Sequence, residues 1–162
     1  SETTVDNLML GRHQHMSTGL WRGMAMLGRR TWAAREEIEN REHVEQVLET
    51  LELKAVRNRP VSELPYGTQK RVELGRALAM EPLLLLVDEP IAGMTRQEVD
   101  RTGELLQSLA GKHSVVVVEH DMEFIRSIAS TVTVLHQGSV LAEGTMAQVQ
   151  NDPKVIEVYL GE

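Results

Sequence analysis

The sequence has no cysteine, only 3% aromatic residues, and no aliphatic run longer than Leu83 to Val87. The missing cysteine excludes a disulfide scaffold and any thiolate-held zinc or iron–sulfur centre. It also fits a reducing compartment. With so few rings, a core has to be aliphatic. The five-residue apolar run is far too short to span a bilayer. No basic-then-apolar signal segment opens the chain. Basic charge is scarce too: 17 Lys and Arg stand against 24 Asp and Glu, for a net charge of −7. That balance argues against a general nucleic-acid binder, which carries a basic face. What is present is enough for a core, since 41% of the 162 residues are apolar. The length suits one domain or a piece of one. The chain opens Ser1-Glu2 without Met, which reads as a processed or trimmed piece.

Along the chain, Met9, Met16, Met24, Met26, Trp21 and Trp32 cluster among Gly and Arg near the start. The methionines read as packing filler, and His13 and His15 as solvated side chains. Residues 36–53 read as an amphipathic helix with Ile38, Val44, Val47, Leu48 and Leu51 inward, broken by Arg57-Asn58-Arg59-Pro60. A second helix is predicted from about Pro65 to Met80, stopped by Glu81-Pro82. Leu83 to Val87 then reads as a strand buried on both faces, as in parallel sheets, and Asp88-Glu89-Pro90 follows it. Thr95 to Glu98 is a capping box opening a helix to about Ala110. Val115 to Val118 is a second buried strand, ending in Glu119-His120-Asp121. A helix with Ile125 and Ile128 inward comes next. Thr131 to Leu135 and Ser139 to Ala142 flank Gln137-Gly138 as a hairpin. Thr145 to Gln148 is another capping box, and Asp152-Pro153 starts a last helix. Strands alternating with helices mean an α/β fold.

Adjacent carboxylates after a buried strand stand at the carboxyl edge of a parallel sheet, where ligands of open α/β sheets bind. In a nucleotide hydrolase the first, Asp88, can hold Mg²⁺ and the second, Glu89, can polarise the attacking water. A strand that merely ends in a charged turn would look the same. The setting adds to this. LPYGTQKRVELGRALAMEP (64–82) precedes the strand, DEPIAGMT (88–95) follows it, and EHDM (119–122) ends the next one. Gly67 and Asp88 are 21 positions apart, and Glu89 and His120 are 31 apart.

This ordered set closely resembles the ATP-binding subunits of ABC transporters, and more narrowly those of branched-chain amino acid importers. Importers of urea and short amides are close enough to be confused with them. The likeness runs from TVDNLMLGRH (4–13) to the closing DPKVIEVYLGE (152–162). The resemblance implies a partial P-loop NTPase core with parallel strands (81–162) and an α-helical signature subdomain (1–80). It implies ATP and Mg²⁺ as ligands, transmembrane permease subunits as partners, and a second ATP-binding subunit in a head-to-tail dimer. The place is the cytoplasmic face of the cell membrane, as a peripheral protein. No nucleic-acid partner is implied. Glu89 takes the role of general base, His120 that of the switch histidine and Asp88 the metal. Pro65, Tyr66, Gly67, Thr68 and Gln69 form the signature turn, and Thr95 lies in the D-loop. By the same resemblance, the Met- and Trp-rich stretch of residues 11–35 contacts the permease; its Gly and Arg content suggests a mobile loop.

Two positions depart from the family pattern. Pro65 replaces the usual signature serine and lacks both a hydroxyl and an N–H. Thr95 replaces an aspartate, and a helix cap is as good a reading of it as a catalytic role. Close relatives vary at both. The larger departure is that no G-x-x-x-x-G-K-[ST] occurs. Gly111-Lys112 is followed by His113, has Leu106 where the first glycine should be, and reads as a turn. The expectation is therefore the C-terminal part of an ABC ATPase, inactive alone. Its unpaired sheet edge would lead to a strand- or helix-exchanged oligomer. Three rivals stay open. A DNA-reading helix would use Lys70, Arg71 and Arg76. The second is the C-terminal half of a chromosome-maintenance or repair ATPase head. The third is a non-catalytic fragment that docks on a membrane partner.

Overall fold

The computed structural model describes residues 2–14 and 30–159. Helix α1 (Thr4–Gly11) starts where Thr3 and Asp6 cap each other, with the Thr3 N–H donating to the Asp6 carboxylate at 3.2 Å. No helix is read from the sequence here, although Thr3-Thr4-Val5-Asp6 before an apolar run is a capping-box signal. The start of α1 is tied down by the Thr4 and Val5 N–H groups, which donate to the carbonyls of Arg59 and Arg57 at 3.0 and 2.9 Å. A short 3-10 turn, Arg12–Gln14, follows, with His13 exposed as expected. Residues 15–29, most of the stretch expected to be mobile, lie outside the described residues, as does His15.

Helix α2 (Arg30–Thr50) begins and ends earlier than the predicted 36–53. Val44, Val47, Leu48 and Leu51 are buried as expected, but Ile38 is exposed. The buried stripe continues backwards through Asn40, and Ile38 lies two residues off it, on the opposite side of the helix. Asn40 earns its burial through Arg12, whose Nε donates to Asn40 Oδ1 at 2.7 Å and whose guanidinium reaches the Ala79 carbonyl at 2.9 Å. The helix closes in a Schellman turn: Leu53 N–H donates to Leu48 O at 2.7 Å, Glu52 N–H to Glu49 O at 3.0 Å, and Glu52 has φ 55°.

Helix α3 (Tyr66–Leu78) agrees with the predicted Pro65 to Met80, with Pro65 as its N-cap. It crosses α1 closely at Gly11, where a Cβ would stand 2.3 Å from the Arg76 carbonyl oxygen. Strand β1 (Leu84–Asp88) pairs in parallel with β2 (Ser114–Val118), from Leu84↔Ser114 to Asp88↔Val118. Between them runs α4 (Arg96–Leu109), capped by Thr95. Gly111-Lys112 is indeed a turn.

The expectation that both strands are buried on both faces does not hold. Leu85, Val87, Val115 and Val117 face the helices, whereas Leu86 is 74% and Val118 60% exposed, with Leu84 and Val116 beside them. A continuous apolar run reports the environment a strand suits. Among the described residues, this two-stranded sheet has cover on one face only.

The main core gathers Leu8, Val44, Leu48, Leu51, Leu53, Val72 and Leu78 with Leu85 and Leu109. A second cluster, Ile91, Leu106 and Phe124, shares Leu74, Val87 and Val115 with it. Helix α5 (Met122–Ile128) buries Ile125 and half-buries Ile128. The hairpin β3 (Val132–His136) and β4 (Ser139–Gly144) turns at Gln137-Gly138, as read, and forms a sheet separate from β1–β2. Helices α6 (Met146–Gln150) and α7 (Pro153–Tyr159) follow. The Tyr159 hydroxyl donates to the Leu135 carbonyl at 3.0 Å. The α/β class with parallel strands and a helical lobe is the observed architecture. No helix among the described residues is long and apolar enough to cross a membrane.

Candidate functional site at the carboxyl edge of the parallel strands

Asp88 ends β1 opposite Val118, so its carboxylate stands at the edge of the sheet, exposed. Glu89 continues the ladder by one step, with its N–H on the Val118 carbonyl at 2.9 Å. It then turns the chain with φ 43°, a left-handed conformation that costs an L-residue roughly 1–2 kcal/mol. Pro90 follows and is buried. The turn throws the Glu89 carboxylate back across the end of β2. There, Glu89 Oε1 lies 3.7 Å from His120 Nδ1, and both side chains are open to solvent. Asp121 caps α5 by accepting from the Phe124 N–H at 2.9 Å, which fixes the chain just after His120. Three residues read from the sequence as chemical are thus gathered at one sheet edge. Two of them come from loops far apart in the chain.

One residue of this edge was not singled out from the sequence. The Glu119 side chain is only 1% exposed. Its Oε1 accepts from the Ile91 N–H at 3.3 Å and its Oε2 from the His120 N–H at 3.0 Å. Alternation could have found it: Val115, Val117 and Glu119 share the covered face of β2.

The signature residues sit at the start of α3. Pro65 gives no side-chain cap, but its carbonyl accepts from the Thr68 and Gln69 N–H groups at 2.9 and 3.0 Å. The Gln69 side-chain amide donates to the Leu64 carbonyl at 2.8 Å, which folds the turn onto itself. Thr68 Oγ1 lies 3.5 Å from the Arg71 guanidinium. Tyr66 is exposed, with the Lys70 ammonium 5.7 Å from its ring centre. The Glu73 carboxylate beside Lys70 raises that ammonium above its usual range. The first-turn N–H groups ahead of Thr68 have no carbonyl of the helix before them and suit an anion.

Thr95 acts as a helix cap. Its N–H and hydroxyl donate to Glu98 Oε2 at 2.9 and 2.8 Å. The Thr95 N–H first, then its hydroxyl and more weakly the Arg71 charge, hold the Glu98 carboxyl below its usual range. The same carboxylate abuts the signature turn, since a Cβ on Gly67 would fall 2.5 Å from Glu98 Oε1. A side chain at 67 would push the Glu98 carboxylate away from the signature turn. Among the described residues, no group of three or more His, Asp or Glu side chains converges as a metal cage. One or two carboxylates at a sheet edge do suit Mg²⁺, which keeps waters and shares phosphate oxygens.

Comparison with known proteins places these features in context. The family described as "ABC transporter" matches residues 3–92, and "Branched-chain amino acid ATP-binding cassette transporter" matches residues 139–162. The high-affinity branched-chain amino acid transport ATP-binding protein BraF of Pseudomonas aeruginosa is 37% identical over 162 residues, 99% of this chain and 62% of its own length. The protein LivG of Escherichia coli K12, of the same description, is 35% identical with the same coverage. A solved nucleotide-free ATP-binding cassette from an ABC transporter is 30% identical, with a TM-score of 0.74. That match covers 99% of this chain and 64% of the solved one. The chain thus spans less than two thirds of the length of these relatives.

Proposed function

The chain belongs to the ABC transporter family, and from that premise we propose that it carries the hydrolytic edge and the signature helix of an importer's ATP-binding subunit. The solute class is branched-chain amino acids, the class in the names of BraF and LivG. The observation that carries the proposal is the approach of Glu89 to His120, 3.7 Å apart at the end of two paired strands. Asp88 would hold Mg²⁺, which when bound neutralises charge on the phosphate oxygens. Glu89 takes the proton of the attacking water. His120, 3.7 Å from it, orients that water or holds the terminal phosphate from its other ring nitrogen. Tyr66 and Gly67 offer first-turn N–H groups to the nucleotide of a second subunit, Thr68, whose N–H is held by the Pro65 carbonyl, offers its hydroxyl, and the bare Gly67 lets backbone come close. Pro65 offers no donor, and Gln69 shapes the turn. Thr95 serves as a cap at this interface.

In this reading residues 1–80 are the signature lobe and 81–162 the later half of the ATPase core. The phosphate cradle is assigned to residues other than these 162, which contain no G-x-x-x-x-G-K-[ST]. The partners are permease subunits at the cytoplasmic face of the membrane, where the protein works peripherally.

Glu89→Gln in the ATP-hydrolysing subunit tests the chemistry. An amide keeps the shape of the side chain but cannot take a proton. ATP binding should persist while turnover falls by about 10²–10⁴-fold. Wild-type turnover would remove Glu89 from the role. Absence of ATP-driven uptake of labelled leucine, isoleucine and valine by the reconstituted importer would overturn the solute class.

A further inference from the structure

We propose that Glu119 is a positioning residue, a two-ended clamp that ties the loop carrying Glu89 to the loop carrying His120. Its catalytic value rests on the function proposed above, but the clamp itself does not. A carboxylate only 1% exposed is costly to bury unless its oxygens are satisfied. Among the described residues the one basic side chain within 4.0 Å of it is His120, whose Nδ1 stands 3.7 Å from Oε2. Two backbone donors satisfy it instead, one on each oxygen: Ile91 N–H at 3.3 Å and His120 N–H at 3.0 Å.

The two donors belong to different loops. Ile91 follows Glu89 after the single residue Pro90, whose fixed φ removes one of the few torsions through which Ile91 could move independently of Glu89. His120 is the residue next to Glu119. The rigid carboxylate therefore sets how far apart the two loops stand. The Glu89 N–H on the Val118 carbonyl, at 2.9 Å, fixes only the near end of its loop. Ordinary filling of this position would continue the pattern of Val115 and Val117 with an apolar side chain. An acceptor at both ends is what the two N–H groups need. Glutamine cannot supply it, because one end of its amide would face an N–H with another N–H.

The test uses the full chain and no nucleotide. The ring resonances of His120 are recorded by nuclear magnetic resonance, at one fixed pH, with and without Glu89→Gln. The pair is measured in three backgrounds: wild type, Glu119→Gln and Glu119→Val. Melting temperatures and amide exchange of Ile91 and His120 are followed alongside. In the wild type, Glu89→Gln should shift the His120 ring signals. In the Glu119→Gln and Glu119→Val backgrounds that shift should be lost, and the two amides should exchange faster, while the chain still melts cooperatively. A role in stability alone would lower the melting temperature and leave the coupling between positions 89 and 120 intact. If one variant does not fold, the other decides. Coupling that survives in a folded Glu119 variant overturns the clamp. A His120 ring untouched by Glu89→Gln even in the wild type overturns it as well. Failure of the ATPase reading would look different: the Glu89→Gln subunit would turn over normally while the coupling stayed in place.

Discussion

Thr95 and Thr145 cap their helices in the same way, and differ in the partner that reaches back. The Thr95 box closes on the carboxylate Glu98, and the Thr145 box on the neutral amide of Gln148. Loss of a threonine cap costs about 1 kcal/mol, so Thr145→Ala should lower stability by that much at any pH between about 3 and 7. Thr95→Ala should behave differently. The Thr95 N–H and hydroxyl depress the Glu98 carboxyl below its usual 4.5 in the folded chain. A depressed carboxyl stabilises the fold above its unfolded titration range. That contribution disappears as the pH falls through the lower folded value. The penalty of Thr95→Ala should therefore be largest at neutral pH and shrink on acidification below the ordinary glutamate range. Urea titrations of both variants at several pH values would check this. An acid-independent Thr95→Ala penalty would show that the Thr95 hydroxyl does not hold the Glu98 charge.

At the scale of elements, the chain was legible wherever the signal is local. The strand before Asp88, the boxes at Thr95 and Thr145 and the turn at Gln137-Gly138 all follow from a few adjacent residues. Asp88 and Glu89 stand out locally because they directly follow an apolar run, whereas His120 draws its proposed role from the family resemblance. The rest needed distant partners. Ile38 has the right chemistry for a core stripe, but the stripe runs through Asn40 because Arg12 meets it there. Glu119 takes its meaning from Ile91, 28 positions away. The end of α2 was hidden because glutamate, not glycine, takes the left-handed position at 52, with φ 55°. That choice leaves room for improvement. Removing the Cβ relieves roughly 1–2 kcal/mol of left-handed strain. The added freedom of the unfolded chain takes back about 0.4–1 kcal/mol. The Glu52–Arg71 pair, long at 3.6 Å and with Glu52 open to solvent, contributes little. Glu52→Gly should stabilise the chain by about 0.5 kcal/mol and Glu52→Ala should not, as denaturant midpoints would show.

For the molecule as a whole, two expectations follow from what its sheet holds. The 162 residues offer carboxylates and a histidine to a phosphate without a G-x-x-x-x-G-K-[ST] loop to hold it. Millimolar Mg·ATP should therefore leave the melting temperature of this chain unchanged, whereas a ligand at 100 times its Kd would add about 2.7 kcal/mol. A clear shift would refute this. The second expectation concerns the bare face of β1–β2, formed by Leu84, Leu86, Val116 and Val118. The hairpin does not join this sheet, so exchange or pairing between copies is the expected way to cover it. Light scattering at micromolar concentration should show a dimer or larger, and Val118→Lys should shift it towards monomer. A concentration-independent monomer of the wild type would rule this out. The makeup of that face also sets the sign of its response to temperature. It is aliphatic, with no aromatic ring among its four side chains and no cysteine in the chain to lock two copies together. Attraction between such surfaces is driven by released water, with almost no heat near room temperature, and it fades on cooling. Refrigeration, the usual way to preserve an assembly, should here dissolve it: the chain should sediment more slowly near freezing than at room temperature.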